Sequence, residues 1–114
     1  MNLLITGAWQ EAKEHIAEIE KLGHKVVFLQ QEKDELPIVE EWVEGVICNG
    51  LFLYHPIKRF INLRYIQLTS AGFDRVDLNY VKEKEIAIKN ARGVYSIPMA
   101  EFVLARVLEQ YKRL

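Results

Sequence analysis

Two short loops hold the small and polar residues expected where a ligand meets a folded chain, Asn49-Gly50-Leu51 and Ser70-Ala71-Gly72. Each follows an apolar run. The chemistry they suggest is binding rather than nucleophilic attack or metal ligation. Ser70-Ala71-Gly72 also reads as a plain strand-to-helix turn in which Gly72 supplies an unusual backbone angle, and Asn49 as a residue that satisfies local backbone groups. Asp74 and Asp77 flank a helix start, where negative charge interacts favourably with the helix dipole. His55 precedes Pro56 near the first loop and reads as structural, while His15 and His24 read as solvated surface residues. No spacing of His, Cys, Asp or Glu matches a metal site. Cys48 falls in an apolar run and is expected to be an inert buried thiol. Glu101 reads as a hydrogen-bonding residue of a first helical turn, not a general base, and residues 32–35 as a solvated charged loop.

The elements that must position these loops follow from hydrophobic periodicity. Short apolar runs at 3–6, 25–29, 45–49, 64–69 and 86–90 predict five strands. Between the first two, residues 10–22 place Ala12, Ile16, Ile19 and Leu22 on one helical face, and Gly23 stands where a helix end favours positive φ. Residues 38–43 are weakly helical, and a short helical turn runs from His55-Pro56 to Phe60. Residues 74–84 predict a further helix with Val76, Leu78 and Val81 turned inward. Apolar strands alternating with helices imply a parallel sheet covered on both faces. The expectation is an α/β, flavodoxin-like three-layer sandwich with a five-stranded parallel sheet. Ligands in such sheets sit at the carboxyl ends of the strands, here Thr6-Gly7, Asn49-Gly50, Thr69 to Gly72 and Asn90-Ala91. The last element differs: Ser96 can cap a helix, Pro98 is tolerated in its first turn, and Ala100, Val103, Leu104, Val107, Leu108 and Tyr111 form one apolar stripe. A long C-terminal helix of this kind, roughly 25 Å at 1.5 Å per residue, has more apolar surface than a small sheet needs.

Composition narrows the partners. The 114 residues suit one domain, half of them hydrophobic, with a net charge of -1. Lys and Arg are scattered, so the basic footprint of a nucleic-acid binder is missing. One cysteine excludes an intrachain disulfide and fits a reducing compartment. The apolar start is too short for a signal peptide and no run approaches the roughly 20 apolar residues that cross a bilayer. A cytoplasmic protein is expected, with neither nucleic acid nor membrane as partner.

Two motifs then stand in order on predicted strand ends. Ser70-Ala71-Gly72-Phe73-Asp74-Arg75-Val76-Asp77 resembles S-x-G-x-D-x-[IV]-D, and residues 90–101, from Asn90 through Gly93 and Ser96 to Ala100-Glu101, resemble N-x-x-G-x-x-S-x-x-x-A-E. Together they are similar to the D-isomer-specific 2-hydroxyacid dehydrogenases. The resemblance implies that residues 1–95 form a flavodoxin-like substrate-binding domain and 96–114 an interdomain crossing helix. It further implies a Rossmann domain beyond this chain, carrying NAD or NADP together with the family's catalytic Arg, acidic residue and His. The chain has no G-x-G-x-x-G, so no cofactor and no catalytic residue is expected for it alone, and it should be inactive by itself. On the substrate side the resemblance implies that backbone amides at Ala71 and Gly72 hold the carboxylate of a 2-oxo or 2-hydroxy acid, with Ser70 in the same loop. Converging N–H groups can hold an anion, and a glycine lets the backbone approach it closely. Asn49, Gly50 and Leu51 match a second substrate-facing position, and Pro98 and Met99 match positions near the nicotinamide. Some members place an Arg near the Asn49 loop for a phosphorylated substrate; Asn-Gly-Leu-Phe-Leu-Tyr here argues against one, and Phe52 and Tyr54 suggest a more apolar pocket.

Other classes fit less well. A receiver module needs carboxylates at the ends of strands one and three, where Thr6-Gly7 and Asn49-Gly50 stand. A flavin module needs a hydroxyl- and glycine-rich phosphate loop, which Gly7-Ala8-Trp9-Gln10 does not supply. The remaining alternative is a free-standing small-molecule-binding or dimerising module. The apolar stripe on the last helix predicts a homodimer or larger assembly.

Overall fold

The structure is a computed structural model that describes residues 1–91. The expected boundary at 95/96, the crossing helix and the cofactor contacts at Pro98 and Met99 lie outside those residues. Five strands form one sheet: β1 (Asn2–Thr6), β2 (Lys25–Leu29), β3 (Gly45–Cys48), β4 (Tyr65–Leu68) and β5 (Ala87–Lys89), in the order β2-β1-β3-β4-β5. Every pairing is parallel, and the register carries rows across the sheet: Leu3, Gly45, Tyr65 and Ala87 in one, Ile5, Ile47, Gln67 and Lys89 in another. The α/β class with a five-stranded parallel sheet therefore stands as expected.

The period of two along a strand divides the core. Leu3, Ile5 and Ile47 face α1 (Ala12–Lys21), which buries Ala12 and Ile19, with Trp9 beside them. Leu4, Val46, Cys48, Ile66 and Leu68 face the other way, toward Val43, Leu51, Ile57, Phe60, Leu63, Val81 and Ile86. That second layer is mostly not helix. It consists of the single turns Glu40–Trp42, Leu51–Leu53 and Ile57–Arg59, tightened to three residues each, and the six-residue α2 (Leu78–Glu83). Burying a Leu, Ile or Phe stabilises by about 1.5–3 kcal/mol, whereas helix propensity among ordinary residues spans roughly 0.7 kcal/mol. Seating Val43, Ile57 and Phe60 therefore outweighs any local preference for a longer helix.

Helix ends show both agreement and correction. Gly23 has φ 98° and its N–H donates to Glu20 O at 3.0 Å, closing α1 as expected. The second helix begins at Leu78, not at 74, because the Asp77 carboxylate caps it by accepting from Tyr80 N at 3.1 Å. Leu78 consequently sits at the first helical position and is 44% exposed, not inward, while Val81 is buried.

His24 and His15 are not solvated as expected. His15 is half-buried with its ring stacked on Trp9 at 5.6 Å. His24 is buried, because the parallel register pairs Asn2 with Lys25 and so sets the preceding residues side by side. The Met1 amino group lies 2.8 Å from His24 Nδ1. Burial first, and then the positive Met1 terminus, lower the His24 pKa from 6.5; burial likewise lowers that of the Met1 terminus from 8.0. The unfolded chain thus takes up protons more readily than the folded one. The stabilisation is complete above these ordinary values and is lost as pH falls through them toward the lower folded values. In urea titrations between about pH 7 and 5, the midpoint should fall more for the natural chain than for His24→Asn. Equal losses in the two proteins would remove His24 as the cause.

Candidate functional site

Strand order reverses beside β1, and the carboxyl ends of β1 and β3 flank the place where sheets of this kind open a ligand crevice. A carboxylate from the chain itself sits there. Glu32 Oε2 accepts from Thr6 Oγ1 at 2.7 Å and from Asn49 N at 2.8 Å, and Oε1 accepts from Gly50 N at 2.8 Å. Thr6, fully buried, also accepts from Ala8 N at 3.3 Å, and His55 Nε2 donates to Glu32 O at 2.8 Å. The expectation of a solvated loop at 32–35 fails at Glu32, whose side chain folds inward because two strand-end amides need an acceptor. Cys48 is buried beneath this carboxylate; burial, and then the Glu32 charge, push its thiol well above the ordinary range, so the expected inert thiol is present. A phosphate placed at this crevice would meet a like charge. Neither a flavin phosphate nor a dinucleotide pyrophosphate fits the described residues.

The β4 loop has the opposite character. Ala71 and Gly72 are exposed, and their N–H groups meet no acceptor among the described residues. Their carbonyls are engaged: Ala71 O accepts from Asn90 Nδ2 at 2.6 Å, and Gly72 O from Ser70 Oγ at 3.3 Å. Ala91 N donates to Ser70 O at 2.8 Å. Beneath the loop, Tyr65 Oη donates to Gln67 Oε1 at 2.6 Å, and Gln67 Nε2 donates to Leu68 O at 3.0 Å. Oxygens are thus held inward while two amides remain open to an incoming anion. Gly72 is not among the positive-φ residues, which removes the reading of a glycine needed for its angle. What its missing side chain provides is space: a Cβ there would lie 2.9 Å from Asp74 Oδ1.

The fold links the two loops through a residue not singled out from sequence. Arg75 Nη1 donates to Asn49 Oδ1 at 3.1 Å. The Asn49 N–H is held by Glu32 and its side chain by Arg75, so it joins loops rather than facing open space. Gly50 is buried between Glu32 and Arg75, and the Leu51 side chain belongs to the core. Tyr54 is 56% exposed and lines a separate cleft of about 320 Å³ with Gly7, Ala8, Gln30, Gln31, Glu32 and Lys33. Asn49, Gly50 and the β4 loop are therefore brought together, and Tyr54 is set to one side. Among the described residues no group of three His, Cys, Asp or Glu could hold a metal. No described helix is long and apolar enough to cross a membrane. Glu32 carried no signal in its own neighbourhood, whereas Arg75 lay inside the first motif at a variable position.

The Glu32 contacts make a measurable claim about stability. Hydrogen bonds to a charged group contribute about 1.5–3 kcal/mol, and leaving their partners unmet costs as much. Glu32→Ala should lower unfolding free energy by about 1.5–3 kcal/mol in urea, and Thr6→Val, which loses one contact of the three, by about 1 kcal/mol. Values within about 0.5 kcal/mol for both would mean an ordinary surface glutamate.

Known proteins share this sheet. The solved structure of cofactor (NAD+)-bound 3-phosphoglycerate dehydrogenase from Entamoeba histolytica is similar over 80% of this chain and 32% of its own, with 24% identity and a TM-score of 0.59. Salmonella D-lactate dehydrogenase is similar over 82% of this chain and 30% of its own, with 21% identity and a TM-score of 0.52. Both likenesses concern the fold, and the chain spans about a third of the length of these structures. No curated protein sequence matches. The family model described as D-isomer specific 2-hydroxyacid dehydrogenase, catalytic domain, matches residues 3–107, nearly the whole chain. The chain belongs to the D-isomer specific 2-hydroxyacid dehydrogenase family.

Proposed function

We propose that this chain forms the substrate-binding side of an oxidoreductase that interconverts D-2-hydroxy acids and 2-oxo acids. The observation that carries the reading is the exposed pair of amides at Ala71 and Gly72, without acceptors among the described residues, at the carboxyl edge of a parallel sheet. Two such N–H groups suit the carboxylate shared by every 2-oxo acid. Ser70 fixes the loop through Gly72 O, and Asn49 and Gly50 form the adjoining wall. On this reading residues 1–95 are a flavodoxin-like substrate domain, for which the strand order is support. NAD or NADP would be bound by a Rossmann domain that the described residues do not form, and hydride transfer would belong to that assembly rather than to this chain alone. A cytoplasmic location and a homodimer complete the proposal; the latter rests on the apolar stripe of residues 100–111 and requires more than a monomer in sedimentation at tens of micromolar.

The test is a titration of the ¹⁵N-labelled chain with pyruvate, followed by NMR. The amide signals of Ala71 and Gly72 should shift most. Gly72→Ala, which crowds the approach, should weaken binding about tenfold, equal to about 1.4 kcal/mol, while changing stability by less than about 1 kcal/mol. Shifts confined to the cleft beside Tyr54, or none at all, would overturn the reading.

A further inference from the structure

The described part of the chain holds three arginines, and two are neutralised. Arg59 lies 3.9 Å from the Glu40 carboxylate and Arg64 lies 2.9 Å from that of Glu44. Arg75 differs. Among the described residues its one hydrogen bond goes to the neutral amide oxygen of Asn49, and it makes no ion pair. A neutral acceptor fixes the guanidinium in place without cancelling its charge. Its stem is fixed as well, since Arg75 Cδ would lie 3.5 Å from a Cβ on Gly50. The nearby Glu32 carboxylate, 3.6 Å from the same point, is already taken by Thr6, Asn49 and Gly50. A guanidinium offers five donors in a planar fork that matches carboxylate or phosphate. One of the five is used here.

From this placement we infer that Arg75 is a specificity-determining residue that takes a second anionic group on the substrate, a carboxylate or a phosphate monoester. The inference rests on the proposed function and deepens it. Ala71, Gly72 and Arg75 belong to one connection between β4 and α2, so a single loop offers two anion-binding elements, neutral amides and a cation. The Asn49 loop lacks an arginine in its own sequence, and the fold brings one to it from the next connection. That corrects the expectation drawn from the loop alone, in which a phosphate-bearing substrate was disfavoured. The preferred substrate is then a 2-oxo acid with an anion at its far end, not a small monoacid.

NMR titration of the full chain with pyruvate, 2-oxoglutarate and phosphonooxypyruvate tests this, using the natural chain, Arg75→Gln and Arg75→Lys. In the natural chain at least one of the two acids bearing a second anion should bind at least about tenfold more tightly than pyruvate. Which acid it is separates carboxylate from phosphate as the group recognised. Arg75→Gln should bring the affinity ratio close to unity, and Arg75→Lys should keep part of it, since charge survives without the fork. Arg75 is exposed, so both variants should retain the dispersed spectrum of the folded chain. If all three acids bind the natural chain equally, or if the ratio persists in Arg75→Gln, the Arg75 assignment is overturned while the substrate-domain reading stands. If none of the acids, pyruvate included, moves Ala71 and Gly72, both are overturned.

Discussion

Beyond the carboxyl ends of β1 and β3, the strand hydrogen bonds stop and the amides of Asn49 and Gly50 lose their ladder partners. The chain answers with the carboxylate of Glu32, which accepts from both amides and from the buried Thr6 hydroxyl. Backbone donors at a sheet edge must find an acceptor, and an ionised one makes the stronger bond. Much of the binding edge depends on this contact. It ties the connection after β2 to the ends of two strands, fixes the direction in which β3 leaves the sheet, and so determines where the Asn49 side chain can meet Arg75.

The same contact gives the edge an electrical polarity. Negative charge sits between β1 and β3, while open amides and an unneutralised guanidinium lie after β4. Phosphate groups are disfavoured on the first side and anions favoured on the second. A small sheet can thus separate two tasks along one edge, bracing its connections at the crossover and leaving the β4 loop open. The bracing also explains why so much of one layer can be loops and single turns. Val43, Leu51, Ile57 and Phe60 fill the core from irregular segments, and those segments are held by their ends and by Glu32 and His55 rather than by helical hydrogen bonds.

Membership of the 2-hydroxyacid dehydrogenase family accounts for the scaffold, and individual substrates are a matter of the loops placed on it. In this chain the informative departures lie where a loop's own sequence understates its surroundings. The Asn49 loop is short of charge in isolation, yet acquires a carboxylate from one neighbouring connection and a guanidinium from another. Substrate selectivity on such an edge is a property of three connections acting together.

Sequence alone determined the strands and their class, because burial on both faces of a parallel sheet writes continuous apolar runs. The expected run at 45–49 became Gly45–Cys48, 64–69 became Tyr65–Leu68, and 86–90 became Ala87–Lys89, each shortened only at its ends. Gly23 and the buried Cys48 were legible for the same reason: a helix end and an apolar run are local features. The β4 loop was legible as a motif, but that its carbonyls are occupied and its amides open was not. Nor were Glu32, Arg75 and His24 legible in their roles. Their partners lie 17 to 26 residues away in sequence for Glu32, 26 for Arg75 and 23 for His24. No periodicity encodes such a pairing, since a charged side chain in a loop looks the same whether it faces water or turns inward. Tertiary structure decides between them, by bringing strand-end amides and side-chain oxygens to places where each needs a partner.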